Sequence, residues 1–162
     1  MYSMSGKAPD FELQDQDGAT RKLIDYRGSW LVVFFYPLDG STNCTKEACA
    51  FRDEHAIIGQ FGNAAVVGIN KASVASHKKF ADKNHLNFPL LSDPAGAVTK
   101  AYGAWRGNVA RHLFDKAFAT RRNTYIIDPE GQIVEEFLGV PAKNHVDNVI
   151  HSLQSLQNLV AA

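Results

Sequence analysis

At 162 residues with 45% hydrophobic side chains, the chain has enough apolar material for one domain with its own core, spanning 1–162. Lys plus Arg equals Asp plus Glu at 17 each, so the formal net charge is zero and no broad basic surface is available for nucleic acid or an anionic membrane. The start, MYSMSGKAPDF, lacks a basic segment followed by an apolar run, and no stretch approaches the ~20 apolar residues of a membrane span. The expectation is therefore a cytoplasmic protein whose 2 cysteines serve redox or metal chemistry rather than a structural bridge.

In chain order, residues 11–14 (FELQ) alternate, Asp17-Gly18 is a turn dipeptide and residues 19–23 can return, which predicts an N-terminal hairpin. Residues 23–28 read as a brief helical turn closed by glycine. Residues 30–36 (WLVVFFY) form an unbroken apolar run rich in Val and Phe, the pattern of a strand covered on both faces, and Pro37 ends it. Residues 38–43 (LDGSTN) favour turns and helix caps, so a helix is expected to begin within a residue or two of Cys44. It carries an apolar stripe of Ala48, Phe51, His55 and Ile58, with His55 inside the stripe or at its edge.

Residues 64–70 (AAVVGIN) predict a second buried strand, and Ser73 caps a helix that buries Val74 and Phe80 and exposes its lysines. A short apolar piece, 88–91, precedes Ser92-Asp93-Pro94, which opens a short helix reaching Tyr102-Gly103. Residues 104–120 have no clean period; that length suggests a functional or mobile segment, with a short helix inside it as the alternative. Residues 123–128 and 132–138 flank Pro129-Glu130-Gly131 as a second hairpin, and the last helix gathers Val146, Val149, Ile150, Leu153, Leu156 and Val160 on one face. Parallel pairing of the strands at 30–36 and 64–70, through a right-handed crossover, gives an α/β architecture with a mixed sheet. The cysteine helix then starts at the carboxyl end of the central strand, where open α/β sheets bind ligands.

Cys44, in the first helical turn, meets unpaired backbone N–H groups and the positive end of the helix dipole, both of which stabilise a thiolate. A reactive cysteine is the first reading. Cys49 lies on a different face, with its Cα roughly 8 to 9 Å away. A disulfide needs a separation below about 7 Å, so the two can pair only if the helix start unwinds. The alternative for either thiol is an inert buried side chain, a more open question for Cys49 than for Cys44. Pro37 has a simple reading as a strand terminator, and Ser41 one as a cap or turn former. Cys44, Cys49 and His55 match no common zinc spacing and a fourth ligand is not evident, while the C-x-x-C of thiol-disulfide oxidoreductases is absent. No metal and no cofactor is expected. A redox sensor or holdase stands as the rival to an enzyme, and repeated turnover with a reductant separates the two.

FFYPLDGSTNCTKEACAFRD resembles the active-site segment of peroxiredoxins, specifically the peroxiredoxin Q class, also called bacterioferritin comigratory proteins. The likeness continues in order through SHKKFADKNHLNFPLLSD, AYGAW and RNTYIIDPEGQI. It implies a thioredoxin-like fold in its peroxiredoxin variant, a mixed central sheet flanked by helices. It also implies an antioxidant, thiol-dependent reduction of hydrogen peroxide and organic hydroperoxides by a monomer, recycled by thioredoxin or a glutaredoxin-like dithiol. By position, Cys44 is similar to the peroxidatic cysteine, and Cys49 to the resolving cysteine found in the same helix in part of the class. Pro37 is similar to the proline that opens the motif and shields the cysteine, Arg122 to the arginine that meets thiolate and peroxide, and Glu47 to a helix carboxylate that orients charged neighbours. Ser41 stands where the family usually has threonine, and Thr42 and Asn43 where it typically has proline and glycine. Serine keeps a hydroxyl able to bond to peroxide but lacks the methyl that fixes the rotamer. Adjacent residues of a strand face opposite ways, so Arg121 is expected to point at solvent when Arg122 points at the site.

Overall fold

The structure, a computed structural model, describes residues 6–61, 63–105 and 120–161; for 58–61 and 160–161 it describes the backbone alone. Its strands are β1 (Gly6–Lys7), β2 (Glu12–Gln14), β3 (Thr20–Lys22), β4 (Trp30–Phe35), β5 (Ala64–Asn70), β6 (Leu90–Ser92), β7 (Thr124–Ile127) and β8 (Gln132–Phe137). Its α-helices are α1 (Thr42–Phe61), α2 (Val74–Asn84), α3 (Ala97–Ala101) and α4 (His145–Ala161), with a 3-10 turn at Leu23–Tyr26. Among the described residues the strands form one mixed sheet in the order β1-β8-β7-β4-β5-β6-β2-β3.

All six residues of β4 are buried, because the strand has a layer on each face. Val32 and Phe34 point with Trp30 and Tyr36 into a core shared with Ala48 and Phe51 of α1, Phe80 of α2 and Val146, Val149 and Leu153 of α4. Leu31, Val33 and Phe35 face the other way, against Phe11, Leu23, Val98 of α3 and Tyr102. The unbroken apolar run at 30–36 is thus two alternating faces, each buried. β4 and β5 pair in parallel from Trp30 with Ala64 to Phe35 with Ile69, and α1 is the crossover between them.

Gly68 of β5 is required by this packing. A Cβ there would lie 2.7 Å from the Phe34 ring and 2.9 Å from Leu90, and Phe34 stacks on Phe51 at 4.6 Å between centroids. Both hairpins form where the sequence places them, β2 with β3 and β7 with β8. In the second, the Asp128 carboxylate accepts the N–H groups of Glu130 and Gln132, and Gly131 adopts φ +87°.

Four expectations change. Val74 is only half-buried, and His77 takes the buried face of α2 beside Phe80 and Ala81. α3 begins at Ala97, later than Ser92-Asp93-Pro94 indicates, because the Asp93 carboxylate reaches forward to accept from the Thr99 N–H and hydroxyl at 2.8 and 2.7 Å. β7 begins at Thr124, so Arg121 and Arg122 lie in the loop before it rather than in a strand. Arg121 is only partly exposed, with Tyr102, Trp105 and Tyr125 around it, and among the described residues its buried Nε has no hydrogen-bond partner. Of the segment 104–120, an isolated bridge joins Trp105 to Thr120, and 106–119 lie outside the described residues, as do the side chains of Ile58 and Val160. Among the described residues no helix is long and apolar enough to cross a membrane.

Candidate active site

β4 delivers the chain through half-buried Pro37 into the loop at 38–41, and α1 begins at Thr42. Cys44 is therefore in the first helical turn, with 1% of its surface exposed. Ser41 caps that turn: its Oγ accepts from the Cys44 N–H at 3.3 Å, and its carbonyl accepts from the Thr45 N–H at 2.8 Å. The cap reading of Ser41 is the one its hydrogen bonds express.

Arg122 crosses from the loop before β7 to the start of α1. Its Nη2 donates to Cys44 Sγ at 3.4 Å, and its Nη1 donates to Glu47 Oε1 at 2.9 Å. The loop is pinned by the Val140 N–H on the Arg122 carbonyl and the Gly139 N–H on Asn123 Oδ1. Burial opposes the Arg122 charge, but Glu47 and Cys44 more than offset it, so its pKa is raised. Glu47 has a fully buried side chain, and burial pushes its pKa up to about 7 against the pull of Arg122. Its second oxygen, Oε2, has no hydrogen-bond partner among the described residues and lies 3.7 Å from His145 Nε2. His145, at the start of α4, shares a 2.7 Å hydrogen bond with Thr124 Oγ1, and burial, then the Arg122 charge, pushes it down to about 4.

Cys49 stands apart from this cluster. It is half-buried between α1 and the end of α2, 3.8 Å from Asn84 Oδ1 and 3.6 Å from Arg52 Nη1. Both cysteines are free thiols. His55 is an edge residue, 3.3 Å from Asn87 Oδ1 and edge-on to Phe88. Among the described residues no group of three or more His, Cys, Asp or Glu could hold a metal ion.

The structure thus brings Cys44, Ser41, Glu47 and Arg122 together, with Pro37 at the strand end, and leaves Cys49 on another face of the same helix. Sequence reasoning did not single out His145, Asp39 or His77. His77 and His145 each sit beside core positions of an otherwise apolar helix face, a polar residue where the period demands an apolar one, and that is the signal that points to them.

A family model described as the AhpC/TSA family matches residues 4–136. Peroxiredoxin Bcp of Bacillus subtilis is 35% identical over 150 residues, covering 93% of this chain and 94% of that protein. The chloroplastic Peroxiredoxin Q of Sedum lineare is 42% identical over 151 residues, covering 92% of this chain and 76% of that one. Among solved structures, Peroxidoxin BcpB of Mycobacterium tuberculosis superposes with a TM-score of 0.83 at 31% identity, over 95% of this chain and 98% of that one. The bacterioferritin comigratory protein of Xanthomonas campestris, studied for its alkyl peroxide reduction activity, superposes with a TM-score of 0.82 at 29% identity, over 91% and 92%. The fold shared with these structures is thioredoxin-like.

Proposed function

This chain belongs to the AhpC/TSA family, in its peroxiredoxin Q or Bcp class, and from that premise we propose a thiol peroxidase cycle run by Cys44, Cys49, Arg122, Ser41 and Pro37. The substrates are hydrogen peroxide and organic hydroperoxides. The observation that carries the reading is the Arg122 guanidinium, held by Glu47 and donating to the Cys44 sulfur at 3.4 Å.

A full positive charge at that distance, added to the helix N-terminus, favours the thiolate. The sulfur attacks one peroxide oxygen in line, an S–O bond forms and the O–O bond breaks. The bonding pair leaves on the distal oxygen, which takes a proton and departs as water or an alcohol, and Cys44 is left as a sulfenic acid. Arg122 faces the negative charge that develops on the oxygens and is already oriented by Glu47, so little reorganisation is needed at the moment of reaction. The Ser41 hydroxyl accepts from the Cys44 N–H and retains its own hydrogen, whose present partner, the Leu38 carbonyl, is a long 3.5 Å away. That hydrogen is available to a peroxide oxygen. Pro37 fixes the chain direction at the strand end and limits solvent beside the sulfur.

The Cys49 thiol then condenses with the sulfenic acid, forming a disulfide and releasing water. The first turn of α1 must unwind for this, because the two residues occupy different faces of one helix. A dithiol reductant of the thioredoxin or glutaredoxin type returns both thiols by exchange. The working form in this reading is a cytoplasmic monomer, which sedimentation of the reduced protein and fractionation of cells would test.

The cysteine assignments predict an asymmetry. Cys44→Ser abolishes turnover, while Cys49→Ser consumes one equivalent of peroxide and then cycles poorly with thioredoxin. Equal residual turnover in the two variants would reject the roles, and a single turnover by the unaltered protein despite excess reductant would favour a sensor.

A further inference from the structure

The loop that carries the chain into α1 is fastened by a buried charge cluster that the steps above leave unused. At its centre is Asp39. Its Oδ1 accepts from the Tyr36 hydroxyl at 2.6 Å and from the Asn70 amide at 3.2 Å. Its Oδ2 accepts from the Ser76 hydroxyl and is met by His77 Nδ1, each at 2.7 Å. The Asp39 and His77 side chains are 7% and 0% exposed. The other ring nitrogen of His77, Nε2, lies 3.1 Å from the Leu91 carbonyl oxygen.

A carboxylate and a carbonyl only accept, so a ring that bonds to both donates at both nitrogens and carries a positive charge. Burial works against the Asp39 charge, but the hydrogen bonds from His77, Tyr36 and Ser76 hold its pKa below the ordinary carboxylate range. The pair is therefore ionic, buried and fully hydrogen-bonded, the arrangement in which loss of one partner is strongly felt.

The placement gives the pair its meaning. Tyr36 follows the end of β4, Asn70 ends β5, and Ser76 and His77 lie in the first turn of α2, all within the packed sheet-and-helix frame. Asp39 is the point at which the loop leading to Cys44 is tied to that frame. Beside it a groove of about 500 Å³ opens between Gly40 and Thr45 on one side and Lys79 and Phe80 on the other, space for the loop once the tie is released.

We propose that Asp39 and His77 are positioning residues for both halves of the cycle: their ion pair holds the loop in the geometry that presents Cys44 to peroxide, and its release governs how fast the first turn of α1 opens toward Cys49. The second half rests on the reading of Cys49 as the resolving cysteine; the first does not. While the site stays closed, the sulfenic acid waits. A second peroxide can then transfer an oxygen to it, giving the sulfinic acid and water or an alcohol. Opening lets it condense instead with the Cys49 thiol, with loss of water. The strength of the tie thus divides Cys44 between overoxidation and disulfide.

The test is Asp39→Asn, which keeps the shape and removes the charge, beside Ile133→Ala, a core truncation on the opposite face of the sheet that lowers stability without touching the loop. In a Cys49→Ser background, stopped-flow oxidation of Cys44 by hydrogen peroxide is expected to slow about tenfold or more in Asp39→Asn, the worth of one hydrogen bond to a charged group. With Cys49 present, the peroxide dose that converts half of Cys44 to sulfinic acid, read by intact mass, is expected to rise by about the same factor. Ile133→Ala is expected to lower Tm and leave both quantities unchanged. The double variant Asp39→Asn with His77→Gln strands no charge; it is expected to recover Tm relative to His77→Gln alone while keeping the altered kinetics. Unchanged oxidation and overoxidation in Asp39→Asn, or the same shifts in Ile133→Ala, would overturn the proposal. Slowed oxidation in a protein whose wild type forms no disulfide would uphold the positioning of Cys44 and reject the reading of Cys49.

Discussion

Glu47 and His145 divide one proton, and removing either is expected to expose a pH dependence that the other hides. Glu47 is raised from its ordinary 4.5 to about 7. The fold therefore favours its protonated form, and that contribution is fully present below the unfolded value and lost as pH rises through about 7. His145 is lowered from 6.5 to about 4, so its contribution is present above 6.5 and lost as pH falls toward 4. Between 4.5 and 6.5 the unfolded chain holds a proton on His145 and the folded chain holds one on Glu47. The two slopes cancel and the pair leaves stability flat. Glu47→Gln leaves His145 uncompensated, and stability is expected to fall by about 2 kcal/mol as pH is lowered through this window, after a discount for solvent screening. His145→Gln leaves Glu47 uncompensated, and stability is expected to rise by about 3 kcal/mol as pH falls from neutrality. Asp15 and Asp39, both held below the ordinary 3.8, lose their contributions below the window and equally in every variant. Urea unfolding of the reduced proteins across pH 4.5 to 7.5 provides the comparison. Three parallel curves would refute the reasoning, because they would mean that neither group changes its proton affinity on folding.

Two further substitutions test other links. Arg122→Lys keeps a charge near Glu47 but loses the fork that bonds to carboxylate and sulfur together; kcat/KM for peroxide is expected to fall by about a hundredfold with little change in Tm. A fall below threefold would remove Arg122 from the site. Gly68→Ala places a Cβ against the Phe34 ring and Leu90, and urea unfolding is expected to show a loss of about 1 to 3 kcal/mol. An unchanged midpoint would mean that the Phe34 ring yields without cost.

Much of the fold was legible because its signals are local. The run WLVVFFY announces a two-faced strand by lacking alternation, and LDGSTN announces the helix start that sets Cys44 in the first turn. The Asp17-Gly18 and Pro129-Glu130-Gly131 turns place both hairpins. α3 was less legible, since Asp93 reaches several residues forward instead of capping at once. Arg122 illustrates the limit for the site. It is 78 residues from Cys44, and nothing in its own neighbourhood distinguishes it from Arg121; only the family resemblance separates the two. Arg121 is only partly exposed because 121–122 lie in a loop, where strand alternation does not hold. Asp39 read as a turn former and His77 as one histidine among 6, and their pairing across 38 positions leaves no periodic trace. The partial clue was a histidine in register with Phe80 and Ala81 on a buried face. Long-range electrostatic contacts of this kind are set by the packing of layers, and sequence period reports only which residues enter a layer.

The most direct measurement is the mass of the reduced protein after one equivalent of hydrogen peroxide, followed in time and beside Cys44→Ser. A species lighter by two hydrogens, formed through a transient heavier by one oxygen and absent from the variant, is the predicted result. It would place both the attacking sulfur and its resolving partner. Peroxide loss no faster than with free cysteine, or a stable oxygen adduct with no loss of hydrogen, would contradict the central claim that Cys44 and Cys49 form one catalytic pair.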